Sequence, residues 1–110
     1  MLKMRYREWD CILQKGRYID NSIAILLVDA HDGEPITKAT VAIDGANLRE
    51  NQITVKDYSE NEGMLDALIG IGLVTGVERR VQSGWVSVPV CNIDPAKLEE
   101  IDEYPGRGGC

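Results

Sequence analysis

A histidine surrounded by three acids is the part of this sequence whose residue types come closest to a reactive site. The four residues are Asp29, His31, Asp32 and Glu34. Carboxylate oxygens and an imidazole nitrogen can bind a divalent cation, and a histidine beside carboxylates can act as the general base of a hydrolase. The same stretch contains Asp32-Gly33 and Pro35, which are typical of a hairpin turn. We therefore expect a solvated turn here, with no metal site and no catalytic residue.

The three cysteines, Cys11, Cys91 and Cys110, follow no Cys-x-x-Cys spacing. An odd number without that spacing predicts neither a disulfide framework nor a zinc site. Cys11 and Cys91 lie in apolar, strand-like segments, where a buried and inert thiol is expected. Cys110 ends a glycine-rich tail and is expected to be accessible. Since the sequence shows no catalytic constellation and no cofactor motif, it predicts a protein that is not an enzyme and carries no cofactor.

Length, charge and hydropathy narrow the class of protein. The chain has 110 residues, of which 44% are hydrophobic and 27% charged, which is the size and composition of one globular domain. Its formal net charge of -6 disfavours direct binding to nucleic-acid phosphates. No apolar run approaches the roughly 20 residues of a membrane helix, and no apolar signal segment follows residues 1–7. We therefore expect a cytoplasmic protein that does not contact the membrane.

The acidic residues are concentrated in two segments. Residues 57–66 contain four acids and no base, and residues 94–103 contain five acids and one lysine. Residues 1–17, by contrast, contain five bases and two acids. A surface of one charge sign speeds association with a partner of the opposite sign. We therefore expect a partner with a basic surface to meet the side of the protein that carries the predicted helices, rather than the N-terminal strand.

Alternating and continuous apolar patterns predict a mostly antiparallel sheet of five or six strands. The strands are expected over residues 4–13, 23–28, 37–43, 52–56, 77–82 and 85–93. The first changes phase midway, which predicts a bulge near Glu8. The second is apolar at nearly every position and is expected at the centre of the sheet. Pro89 lacks a backbone donor, so the last strand is expected at an edge or beside a bulge.

Capping residues predict one main helix. Ser59, followed three residues later by Glu62, matches a capping box that begins a helix. The apolar positions after it recur at helical spacing: Met64, Leu65, Leu68 and Ile69. Glycine adopts the left-handed conformation that commonly closes helices, so we expect the helix to end near Gly70 or Gly72.

A short C-terminal helix is expected over residues 96–103, because Asp94-Pro95 is a good N-cap and first-turn pair. The predicted fold class is therefore α+β, with a single domain over residues 1–103. Residues 104–110 form a glycine-rich tail that is expected to be flexible. The last four residues are similar to the exposed diglycine end of ubiquitin-like modifiers, although the predicted order of elements differs from that fold.

Residues 56–65, with the sequence Lys-Asp-Tyr-Ser-Glu-Asn-Glu-Gly-Met-Leu, form the most distinctive stretch of the chain. Residues 28–35 and 88–91 add two shorter stretches. Together these resemble a family of small uncharacterised bacterial proteins encoded on plasmids, phages and other mobile elements. The resemblance implies no catalytic residue. It implies a setting, since mobile elements carry many small acidic proteins that inhibit host defence systems, including anti-CRISPR proteins.

Two functions from different classes remain open on the sequence. The first is a protein-binding module that inhibits a host defence protein such as a nuclease, with candidate contacts Tyr58, Glu60, Asn61 and Glu62, because polar loop residues are free to serve binding. The second is a protein that sequesters a small molecule or nucleotide in a pocket lined by Tyr58 and Trp85.

Overall fold

The computed structural model describes residues 1–104, which form eight strands and two α-helices. The strands are β1 (Lys3–Tyr6), β2 (Trp9–Arg17), β3 (Ile23–Asp29), β4 (Pro35–Lys38), β5 (Gln52–Thr54), β6 (Val74–Ser83), β7 (Val86–Ile93) and β8 (Asp102–Glu103). The helices are α1 (Met64–Gly70) and α2 (Pro95–Glu99), and a 3-10 turn spans Ser59–Asn61. The fold is α+β with mostly antiparallel pairing, as the sequence predicts.

The first predicted strand is instead a hairpin of two strands. β1 pairs with β2 in an antiparallel register that places Tyr6 opposite Trp9. The chain reverses at Arg7 and Glu8, and Arg7 adopts a left-handed φ of 55°. The prediction of a bulge near Glu8 is therefore wrong. The two apolar phases belong to two paired strands, each of which buries alternate side chains in the core.

β3 lies inside a five-stranded sheet, as its apolar sequence predicts. The order is β1-β2-β3-β4, and β8 pairs in parallel with β2. β1 pairs with the first half of β2, and β8 pairs with Gln14 and Lys15 further along, so both lie on the same edge of β2. Ile25 and Leu27 of β3 are fully buried. The predicted hairpin between β3 and β4 is also confirmed.

A second sheet of three strands has the order β5-β7-β6, where the sequence predicted a single sheet. β6 and β7 form the predicted hairpin, but Gly84 and Trp85 make its turn, so Trp85 does not begin the last strand. β7 is central, so the edge position expected for Pro89 is wrong. The alternative of a bulge is confirmed, since the register with β6 shifts between Val77 and Arg79, one residue before the position opposite Pro89.

Residues 39–41 join the two sheets. The N–H of Ala39 donates to the carbonyl of Ile25 in the first sheet at 2.8 Å. The carbonyl of Ala39 accepts from the N–H of Lys56, just after β5, also at 2.8 Å. The strand predicted over 37–43 therefore stops at the end of β4, because the next residues form their hydrogen bonds with both sheets instead of continuing along one.

Helix α1 ends at Gly70, within the predicted range. Its Met64 and Leu68 side chains are fully buried, and the helix contacts both β1 and β6. Ile69, which the sequence placed on the same apolar face, is 46% exposed. Met64 and Leu68 are four residues apart and so share one face, whereas Ile69 lies about 100° further around the helix axis.

Helix α2 begins as predicted, because the Asp94 carboxylate accepts the N–H of Ala96 at 2.9 Å. It ends at Glu99, and the last two residues of the predicted helix, Asp102 and Glu103, form β8, which pairs with β2. The N–H of Tyr104 donates to the carbonyl of Lys15 at 2.7 Å, so this residue is still attached to the sheet. The remainder of the predicted glycine-rich tail lies outside the described residues.

Truncating the two neighbouring apolar residues of α1 tests which one anchors the helix. We expect Leu68→Ala to lower the free energy of unfolding by about 2–5 kcal/mol because it opens a cavity in the core. The matched control, Ile69→Ala, is expected to change it by less than about 1 kcal/mol because half of that side chain is already in solvent. Urea denaturation measures both values, and equal losses would contradict this packing.

Candidate functional site

The acidic segment, defined as residues 57–66, packs against β1 and β4. It begins three residues after the end of β5, forms the 3-10 turn, and enters α1 through Gly63. Gly63 has a φ of 92°, and glycine is the residue that adopts this conformation without strain. The segment therefore turns sharply at two places within a few residues, and its shape depends on the contacts described below.

Asn61 clamps the acidic segment to β4. Its side chain is completely buried, with 0% exposed. The side-chain oxygen accepts from the hydroxyl of Thr37 at 2.7 Å, and the side-chain amide donates to the carbonyl of Lys38 at 2.6 Å. The sequence offered Asn61 as a contact for a partner. The structure instead places it in the interior, where both halves of the amide are bonded to protein.

The predicted capping box does not begin α1. Neither Ser59 nor Glu62 caps the helix with its side chain, because residues 59–61 form a separate 3-10 turn and Gly63 follows as the residue before the helix. The carboxylate of Asp57 accepts the N–H of Leu65 at 2.9 Å instead. The N–H groups of the first helical turn have no partner within the helix, and Asp57, eight residues upstream, accepts one of them.

The first hairpin holds the other side of the acidic segment. The hydroxyl of Tyr6 lies 3.3 Å from the carbonyl oxygen of Glu60 and 3.1 Å from that of Glu62, to which it donates. The guanidinium of Arg7 donates to the same Glu62 carbonyl at 3.2 Å and lies 5.3 Å from the centre of the Tyr6 ring. Burial raises the pKa of Tyr6, so it stays a hydrogen-bond donor. The basic first strand therefore borders the acidic segment directly.

Two carboxylates of the acidic segment remain available on its surface. Glu60 forms an ion pair with Lys56 at 2.6 Å, and the hydrogen bond from that ammonium lowers the pKa of Glu60. Lys56 also lies 5.7 Å from the centre of the half-buried Tyr58 ring. Glu62 and Asp66 are exposed, and neither forms an ion pair within residues 1–104.

Tyr58 and Trp85 do not share a pocket. Trp85 lies in the turn between β6 and β7, and its side chain is 100% exposed. A side chain that is fully in solvent covers no neighbour and cannot line an enclosed site. The pocket that the sequence predicted between these two residues is therefore absent from the described part of the chain.

The His31 stretch is a turn, as the sequence favours. The carboxylate of Asp29 accepts the N–H of His31 at 2.8 Å, and that of Asp32 accepts the N–H of Glu34 at 2.9 Å. The His31 ring lies 3.9 Å from the carboxylate of Asp10, beside a shallow cleft of about 500 Å³. Within residues 1–104, no three His, Cys, Asp or Glu side chains are grouped so that they could hold a metal ion.

A polar groove with a volume of about 700 Å³ lies between the turn at residues 18–22 and the loop at residues 43–51. Its lining includes Asn21, Asn47 and Asn51, which have left-handed φ values of 71°, 53° and 63°. Sequence reasoning missed this site. Asn21, Gly45 and Asn47 are of residue types that are typical of turns, but no periodicity in the sequence shows that the turn between β2 and β3 faces the loop before β5.

Comparisons with known proteins give this chain no relative. No protein-family model, no curated protein and no solved structure matches it. Among residues 1–104, no helix has the length and apolar character needed to cross a membrane.

Removal of the Asn61 side chain tests how much its hydrogen bonds to Thr37 and Lys38 stabilise the fold. We expect Asn61→Ala to lower the free energy of unfolding by about 2–4 kcal/mol, because the Thr37 hydroxyl and the Lys38 carbonyl lose their buried partner. The control Glu62→Ala removes an exposed neighbour and should change the value by less than about 0.5 kcal/mol. Chemical denaturation followed by circular dichroism measures both, and a wild-type stability for Asn61→Ala would show that the clamp contributes nothing.

The two buried thiols should be inert in the native state. Burial raises the pKa of Cys91 to about 11 and also raises that of Cys11. At pH 8 a thiol with that pKa is only about 0.1% thiolate, which is the reactive form. In a Cys110→Ser variant, we expect a disulfide reagent such as DTNB to label neither thiol until urea is added. Labelling of the native protein at the rate of free cysteine would contradict this burial.

Proposed function

We propose that this protein is a small acidic protein-binding module of a mobile element, which inhibits a host defence protein by binding it stoichiometrically and without catalysis. Its partner presents a basic surface, as a defence nuclease does, and the complex forms in the cytoplasm without direct contact between this chain and nucleic acid. The observation that carries the proposal is the pair of exposed carboxylates of Glu62 and Asp66, which form no ion pair with residues 1–104, on a segment whose backbone is fixed.

Fixed carboxylates favour binding for two physical reasons. Coulomb attraction between complementary surfaces raises the association rate and selects partners of the right sign. A segment that is already held by Asn61, Asp57 and Tyr6 loses little conformational freedom when it binds, so less of the interaction energy is spent on ordering it. The half-buried Tyr58 and the exposed Glu60 lie in the same segment and extend the proposed contact surface.

The neighbouring first strand adds a constraint on the partner. The guanidinium of Arg7 lies against the carbonyl of Glu62, and Lys3 and Arg5 are also exposed on β1. A partner that covers the acidic segment therefore meets positive charge at its border. We expect its basic surface to be flanked by neutral or acidic groups on the side that faces β1.

Charge reversal of the two free carboxylates tests the proposed function. We expect the full-length protein to form a one-to-one complex with a nuclease in a panel of purified CRISPR effectors and other defence nucleases, and to inhibit DNA cleavage. The double variant Glu62→Lys/Asp66→Lys should weaken that complex by about tenfold or more because attraction becomes repulsion. Light scattering after size-exclusion chromatography measures the complex, and a cleavage assay measures inhibition.

The matched control for this experiment is Asp44→Lys/Glu50→Lys. It changes two exposed acids on the 43–51 loop and alters the net charge by the same amount, from -6 to -6 + 4 = -2. The complex should survive this change. Absence of inhibition across the panel, or equal weakening by both double variants, would show that the acidic segment is not the binding surface.

A second function, small-molecule binding, is favoured by the polar groove. Its volume of about 700 Å³ falls within the range of roughly 300–1,000 Å³ that is typical of ligand sites. The groove replaces the predicted Tyr58–Trp85 pocket as the place where a sequestered ligand would bind. It uses residues outside the acidic segment, so the two functions can be tested separately.

A further inference from the structure

Hydrogen bonds within the protein fix the first wall of the polar groove. The guanidinium of Arg17 donates to the carbonyl of Asn21 at 2.9 Å. The carboxylate of Asp20 accepts from the N–H and the hydroxyl of Ser22 at 3.0 and 2.6 Å. These bonds hold the 18–22 turn in one conformation and leave the side chain of Asn21 at the groove.

The second wall is fixed through Gln52, which is almost completely buried. Its side-chain oxygen accepts the N–H of Arg49 at 2.9 Å, and its side-chain amide donates to the side chain of Asn92 at 2.9 Å. The carbonyl of Asn51 accepts the N–H of Ile93 at 3.0 Å. Both walls are thus formed before any ligand arrives, so binding would not have to order them.

The charges that line the groove cancel. Arg17 and Arg49 contribute +2, and Asp20 and Glu50 contribute -2, so the sum is zero. Arg49 is also paired with Glu78, which lies outside the lining. An anionic or cationic ligand therefore finds no excess of the opposite charge here. The groove suits a neutral ligand held by hydrogen bonds.

Three side-chain amides are the groups available for those bonds. They belong to Asn21, Asn47 and Asn51, and no hydrogen bond within residues 1–104 engages any of them. A primary amide places a donor NH₂ beside an acceptor oxygen. Two adjacent hydroxyls of a sugar ring offer the complementary pair, with one hydroxyl accepting and the other donating.

The apolar part of the lining is aliphatic. It consists of Ile23, Ile43, Ala46, Leu48 and Leu98, and no described residue in the lining is aromatic. Aliphatic side chains can pack against the C–H groups of a sugar ring. A nucleobase would find none of the aromatic faces on which bases stack in single-stranded nucleic-acid sites.

We infer that the polar groove binds a neutral mono- or disaccharide through the amides of Asn21, Asn47 and Asn51, an inference that rests on the second function proposed above. The amides bind vicinal hydroxyl pairs, and the aliphatic side chains of the lining contact the ring. The ligand class follows from three features of the groove together: zero net charge, amides without bonds to protein, and an aliphatic rather than aromatic lining.

Titration of the ¹⁵N-labelled full-length protein with defined sugars tests the inference. The probes are N-acetylglucosamine, maltose and cellobiose, with glucose 6-phosphate and adenosine as comparisons. We expect at least one neutral sugar to bind with millimolar or tighter affinity and to shift amide resonances of residues 18–23 and 43–52. Glucose 6-phosphate and adenosine should bind more weakly than that sugar.

Substitution by glycine removes each amide and keeps the left-handed backbone. We expect Asn21→Gly and Asn51→Gly each to weaken sugar binding about three- to tenfold, the equivalent of one lost hydrogen bond. The matched control is Ser59→Gly, which removes a polar side chain from an exposed residue with a φ of 55° in the acidic segment. It should leave sugar binding unchanged.

The outcomes separate the ligand class from the broader function. Tighter binding of adenosine or glucose 6-phosphate in the groove would overturn the saccharide class and leave small-molecule binding intact. Sugar binding that the asparagine variants do not weaken would also overturn the inference. If no probe, at a concentration of about 20 mM, shifts the resonances of residues 18–23 and 43–52, both the saccharide class and small-molecule binding would be overturned.

Discussion

Residues 37–41 carry the hydrogen bonds on which the rest of the structure depends, because they bond to both sheets and to the acidic segment. Thr37 and Lys38 bind the buried side chain of Asn61. Ala39 bonds to Ile25 of β3 and to Lys56, two residues after β5. The hydroxyl of Thr40 accepts the N–H of Ile25 at 3.1 Å inside the core. Ala39, Thr40 and Asn61 are buried, so a polar group of these residues that lost its partner would destabilise the fold. Residues 37–41 therefore fix the position of the acidic segment relative to the two sheets.

This arrangement explains how an acidic surface can be rigid in so small a chain. The proposed contact surface consists of exposed carboxylates at Glu62 and Asp66, but its shape is set by groups beneath it that no partner would touch. The inner side chains of the segment form hydrogen bonds with the protein, whereas the outer ones face solvent. This difference also explains which polar and acidic residues the segment contains. Polar residues at positions 57 and 61 serve the fold, whereas the acids on the outside are not required by packing.

Local sequence signals predicted the elements whose stability is local. The apolar run of β3, the β6–β7 hairpin and the Asp94 cap of α2 all follow from neighbouring residues. The same reasoning failed where an element depends on contacts between residues that are far apart in the sequence. The turn at Arg7 contains no glycine, asparagine or proline, so the change of apolar phase near Glu8 was its only signal, and that change fits a bulge as well as a turn. β7 pairs with both β5 and β6 and so makes a separate second sheet, and residues 39–41 link it to the first, which no apolar period reveals. The helix cap failed similarly, since Asp57 acts from eight residues away.

The central claim is that the acidic segment is held as firmly as the core, and native-state hydrogen exchange measures this most directly. The N–H of Lys56 donates to the carbonyl of Ala39, and the N–H of Leu65 donates to the carboxylate of Asp57. If the segment is fixed, both amides should exchange only through openings whose free energy approaches that of global unfolding, as the amides of β3 do. Exchange of these two amides at the rate of an unstructured peptide, while β3 remains protected, would contradict the account.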